Sequence, residues 1–216
     1  MNKKSLSGID KKLILPLLSA SAVLRYETQF KYLLIKSKKI NIPRKKIYEA
    51  ILQTYLFAGF PVALISLKIV NELFPLQKSI YETLNISLMK KRGVHTCRKV
   101  YGNKYEKLIE NIKIFSPEMS EWLVAEGYGK VLSRKGLSLK ERELCIICIL
   151  ASLNFEDQLF SHINGAYRLG MKISEIQNVI QSLDLLGRKK LSKMGLFILK
   201  KFESQKEKKS RPKSNS

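Results

Sequence analysis

Residues 143–162 read ELCIICILASLNFEDQLFSH, and their reading decides the fold. The run LCIICILASL is apolar almost all round, which marks a helix buried on every side. Just before it, Ser138-Leu-Lys-Glu141 has the serine-to-glutamate spacing of a capping box. The pattern predicts a core helix ending near Asn154, then a second helix from about Glu156 to Leu169 with Gly170 as its left-handed terminator. A third helix is expected from Ser174, capped through Gln177, running through VIQSLDLL to Gly187. Upstream, Ser116-Pro117-Glu118 opens a further helix, with serine at the cap and proline in the first turn.

The N-terminal half carries a faint copy of this pattern. LRYETQFKYLL, residues 24–34, lies over LNFEDQLFSHI, residues 153–163, sharing Glu27, Gln29 and Phe30 with Glu156, Gln158 and Leu159. KKIYEAILQTYLFAGFP then parallels EIQNVIQSLDLLG, closing on Gly59 and Gly187. Each unit is too small to stand alone, so two of them are expected to pack as one all-α bundle. The divisions read from the sequence are 1–90 for the N-terminal repeat, 91–137 for a helical linker, 138–200 for the C-terminal core repeat and 201–216 for a basic disordered tail.

Composition bounds the function. With 45% hydrophobic residues in 216, the chain can bury a core. The formal net charge of +22 attracts anions. Lysines spread along the whole chain, without clustered arginines or aromatics, argue against a dedicated nucleic-acid partner. Three cysteines, Cys97, Cys145 and Cys148, fit a reducing compartment and not a disulfide scaffold. KKLILPLLSASA imitates a signal peptide, but the repeat claims it for the folded domain. The apolar run of residues 55–67 is shorter than the roughly 20 residues that span a bilayer. The expectation is a cytoplasmic protein with no membrane partner.

The ordered set Tyr128-Gly129, L-S-R-x-G-L at residues 132–137, Arg142-Glu143-Leu144 and E-x-Q-L-x-x-H ending at His162 resembles the carboxymuconolactone decarboxylase family, which includes the AhpD-type alkylhydroperoxidases. RGVHTCRKVYG, residues 92–102, is similar to the linker of its two-repeat members. The resemblance implies an all-α AhpD-like bundle that assembles into a trimer or a hexamer-like ring. It also implies cofactor-free chemistry on a small anionic substrate such as a lactone acid, and the residues themselves offer no metal constellation. His95, the other of the two histidines, is isolated.

In the hydroperoxidase branch the same frame carries a C-x-x-C. Counted from Glu143, its two cysteine positions fall on Phe155 and Gln158, and its histidine on His162. Cys145 and Cys148 lie one helix earlier, in an apolar run far from the helix start where a dipole lowers a thiol pKa. They read as small buried hydrophobes. An alkylhydroperoxidase-like activity would need one of the three thiols to be accessible and acidic.

The candidate catalytic pair is therefore His162, as general acid or base, with Glu143 as its partner. Each has an ordinary alternative: a core histidine, and a helix-start acid beside Lys140 and Arg142. Arg134 and Arg142 are candidate anion clamps, or salt bridges. Tyr128 is a candidate donor to a substrate oxygen, and Asp157 a weaker polar candidate. In the first repeat Ile14 and Leu33 occupy the places of Glu143 and His162, so chemistry is expected in the second repeat only. Lys31 and Tyr32 stand beside those positions. A third expectation is a non-catalytic helical oligomer that binds an acidic partner.

Overall fold

The protein is described by a computed structural model covering residues 8–76 and 85–210. Residues 211–216 of the expected tail, and 77–84 of the first repeat, lie outside the described residues. All regular structure in the described part is helical.

Two helices form the centre. α1, Ile14–Val23, buries all ten of its residues, so the signal-like run is the middle of the core. Pro16 is harmless there, because first-turn N–H groups have no helical partner to lose. α8, Leu139–Leu153, packs against it and buries residues on every side, including Cys145, Ile146, Ile147 and Cys148. The capping box forms as the spacing requires: Glu141 N donates to Ser138 Oγ, while Ser138 N donates to Glu141 Oε2. Burying an Ile or Leu contributes about 1.5–3 kcal/mol, so each central helix supplies a large share of the driving force.

The two halves share a backbone plan. α1, α2 (Glu27–Lys39) and α3 (Arg44–Leu52) precede a kinked α4 (Tyr55–Leu73); α8, α9 (Glu156–Arg168) and α10 (Ile173–Gln181) precede a 3-10 turn at Ser182–Leu186 and α11 (Lys189–Ser210). Left-handed residues recur at matching places: Arg25 with Asn154, Asn41 with Gly170, Gly59 with Gly187. The closing hydrogen bonds match as well. Tyr26 N donates to Ser21 O as Phe155 N does to Leu150 O, and Ile42 N to Ser37 O as Met171 N does to Ala166 O.

Between the halves, α5 (Ile86–Tyr101) crosses the expected boundary at residue 90, followed by α6 (Tyr105–Phe115) and α7 (Pro117–Trp122). α7 runs into a π-helix at Leu123–Leu132, an uncommon backbone form often found at functional sites. α5 and the π-helix meet backbone to backbone. A Cβ added at Gly93 would stand 1.9 Å from Val124 O, and one at Gly129 1.9 Å from Met89 O.

Three expectations are corrected. The third C-terminal helix starts at Ile173, not Ser174, because the Glu175 carboxylate accepts from Lys172 N, and it stops at Gln181. α11 continues to Ser210, so much of the tail expected to be disordered is helical, anchored by the buried Phe202 and by Lys206 over the Tyr167 ring. α4 does not end at Gly59: the chain kinks there (φ 78°), Pro61 restarts the helix, and Ile69 and Val70 carry it to Leu73. By length and composition α4 is therefore long and apolar enough to cross a membrane, although its Ala63, Ser66, Ile69 and Val70 are buried within the bundle.

Candidate active site

The left-handed turn at Asn154 folds α9 back along α8. This brings His162 Nδ1 to 2.9 Å from Glu143 Oε2, with both residues buried. Glycine makes the room: a Cβ on Gly165 would lie 3.3 Å from Glu143 Oε2 and 2.7 Å from Val100 Cγ1. His162 makes no other hydrogen bond among the described residues, so the carboxylate fixes Nδ1 as the N–H and leaves Nε2 for chemistry.

Aromatic rings wall the imidazole. Phe57 of α4 and Tyr101 of α5 each make a T-shaped contact with it, with ring centroids 6.4 Å away. Tyr128 of the π-helix donates its hydroxyl to Tyr101 Oη at 3.2 Å, which leaves the Tyr101 proton for another acceptor. Burial keeps both phenols protonated far above their ordinary range; the Tyr128 bond partly offsets this at Tyr101, and the nearby Glu143 charge reinforces it. Both are thus donors at any physiological pH. Tyr101 was not singled out by the sequence, although it lies in the RGVHTCRKVYG linker that carries the resemblance. Spacing could not reveal it, since five different helices converge here.

The other candidates fall elsewhere. Arg142 is 1% exposed and gives Nη2 to Glu49 Oε2 at 2.9 Å and to Arg134 O at 2.8 Å. Arg134 Nε reaches both Glu49 oxygens, at 3.0 and 3.1 Å. The carboxylate these arginines clamp is the chain's own Glu49, on α3 of the first half, which replaces the expected substrate clamp. Asp157 is exposed in the first turn of α9, beside exposed Phe155 and Gln158, the two vacated sulfur positions. Lys31 pairs with Glu27 on the surface. Ile14 and Leu33, the first-half counterparts of the Glu143–His162 pair, are wholly buried in apolar core.

All three cysteines are free and wholly buried. Burial pushes the Cys97 thiol up to about 12, reinforced by the Glu143 charge. It likewise pushes Cys145 to about 12, opposed by Ser19 and Arg142, and raises Cys148 further. None has the access or the acidity of a peroxidatic thiol. Among the described residues, no three of the His, Cys, Asp and Glu side chains cluster as a metal site would require.

The family model described as "Carboxymuconolactone decarboxylase family" matches residues 117–187. The chain is also similar to a 4-carboxymuconolactone decarboxylase of Acinetobacter baylyi, 29% identical over 91 residues, which covers 42% of this chain and 68% of that protein. The matched residues include Tyr128, Glu143 and His162. Over residues 117–187 the chain is therefore similar to the carboxymuconolactone decarboxylase family.

Proposed function

We propose that the protein is a carboxymuconolactone decarboxylase-like enzyme that transfers a proton, without a cofactor, on a small anionic lactone acid. The observation that carries this reading is the buried His162–Glu143 hydrogen bond of 2.9 Å. His162, as imidazolium, donates its Nε2 proton to the γ-carbon of a β,γ-unsaturated acid. The bond to the carboxylate carbon breaks, its electron pair enters the new double bond, and carbon dioxide leaves. The imidazole then regains a proton from solvent. Glu143 holds the ring and stabilises its charged form, and the Tyr101 hydroxyl donates to a substrate oxygen. The positive field of the whole chain draws the anion in.

The free thiols support a reducing, cytoplasmic setting. Large apolar residues left in water on α4 (Phe60, Leu64) and on α6 and α7 (Phe115, Trp122) support assembly with further copies of the chain.

The test is decarboxylation of 4-carboxymuconolactone by the wild type and by His162→Asn, Glu143→Gln and Tyr101→Phe. His162→Asn is expected to lose at least about 100-fold in kcat, the value of a positioned general acid. Turnover that survives His162→Asn overturns the mechanism. A second reading, a non-catalytic oligomer, is favoured by the tight closure of the site, where His162 keeps 7% of its surface. A wild type that binds the lactone acid without releasing carbon dioxide would establish it.

A further inference from the structure

A concave site lies behind the helix that carries His162. Between the turn after α5, the outer face of α9 and the end of α11 is a cleft of about 340 Å³. Pockets of roughly 300–1,000 Å³ hold small ligands. His162 does not line it, and residues two apart on a helix point about 200° from one another, so Asn164 faces the cleft where His162 faces the core.

The cleft has three kinds of wall. Its floor is aromatic: Phe160 and Tyr167 both pack on Phe202, with ring centroids 5.9 and 5.6 Å apart. Among the described residues its charged lining groups are the cations Lys104, Arg168 and Lys206. Beside the Tyr167 hydroxyl, three primary amides line it, Asn103, Asn164 and Gln205, each able to donate and accept.

The cations are held by built features. Lys206 Nζ sits 4.0 Å over the Tyr167 ring, an arrangement that keeps an ammonium at the rim. Arg168 packs directly on Gly102, whose φ is +58°; a Cβ there would stand 2.4 Å from Arg168 Nη1. An arginine in the last turn of a helix ordinarily just faces the dipole. Here a glycine in a left-handed conformation admits its guanidinium against the backbone.

We infer that this cleft binds a nucleotide, a heteroaromatic ring that carries phosphate. The aromatic floor offers an apolar surface for a ring, the amides match the mixed donor and acceptor edge of a base, and a planar guanidinium suits bidentate binding of phosphate. A plain anion would leave the rings and amides unused. A neutral ring would make no use of the Arg168 guanidinium.

The test is isothermal titration of the full chain with AMP, and separately with adenosine and inorganic phosphate, at low and high salt. AMP is expected to bind one to one and more tightly than either fragment. Arg168 is exposed, so Arg168→Gln should fold normally and weaken AMP about tenfold or more. Asn164→Ala is expected to weaken AMP while leaving phosphate unchanged. Lys130→Gln removes one charge elsewhere on the surface and is expected to change nothing. Absence of AMP binding, phosphate binding as tightly as AMP, several AMP molecules per chain, or equal weakening by Lys130→Gln would each overturn the inference.

Discussion

Glu49→Gln tests whether a buried charge cluster joins the two halves. Glu49 is 1% exposed and meets Arg142 Nη2 at 2.9 Å and Arg134 Nε at 3.0 and 3.1 Å. Arg142, equally buried, also gives Nη1 to Gln53 Oε1 at 3.3 Å, so α3 and α8 are tied through a single guanidinium. Glutamine keeps the volume but removes the charge and turns an NH2 group toward a cation. Orphaning one member of a buried pair costs about 3–5 kcal/mol, against a total stability of about 5–15 kcal/mol for a typical domain. With a urea slope of about 2 kcal/mol per molar, the midpoint should fall by about 1.5–2.5 M. The assay is urea unfolding at neutral pH followed by circular dichroism. Glu49→Gln combined with Arg142→Met removes the orphaned charge and should recover at least half of the loss, because replacing a buried pair costs less than breaking it. A loss below about 1 kcal/mol, the worth of an exposed pair, or a double variant no better than the single one, would refute the reasoning.

Two further outcomes follow from packing and burial. Alanine at Gly129 or Gly93 would drive a methyl group into a backbone carbonyl where α5 crosses the π-helix. Either change should cost about 3 kcal/mol and lower Tm by roughly 10 °C; an unchanged melting curve would contradict the close approach. The thiols should ignore a thiol reagent until the chain unfolds, and they should make stability sensitive to alkali. Cys97 and Cys145 hold their protons to about 12, and Cys148 beyond that, whereas unfolded thiols ionise near pH 8.5. The folded state thus keeps protons that the unfolded state releases. Their contribution is complete below about pH 8.5 and declines above it by about 1.4 kcal/mol per thiol per pH unit. Urea midpoints at pH 8 and pH 10 should differ accordingly, with a smaller difference in Cys148→Ala; equal midpoints would place the thiols outside the core.

Much of the candidate site was legible because it is local. Asn154 follows an all-apolar helix and precedes an amphipathic one, so a tight reversal brings residues early in α8 beside residues midway along α9. The lookalike C-x-x-C was legible for the same reason, since a helix apolar on every side has no surface at which to expose a reactive thiol. The sequence left both arginines open between an anion clamp and a salt bridge, because a guanidinium suits a substrate carboxylate and a protein carboxylate equally well. Only the burial of Glu49, more than eighty positions away, distinguishes the two.

What the sequence determined by itself was the helical class, the central placement of the two apolar helices and the pairing of Glu143 with His162. These depend on periodicity, capping and one short turn, which act over neighbouring residues. What only the tertiary structure decided was the Tyr101–Tyr128 hydroxyl pair at the imidazole, the capture of both arginines by Glu49, and the cationic, aromatic cleft behind α9. Each joins elements distant along the chain, and their encounter is set by how the helices pack, which no local pattern encodes.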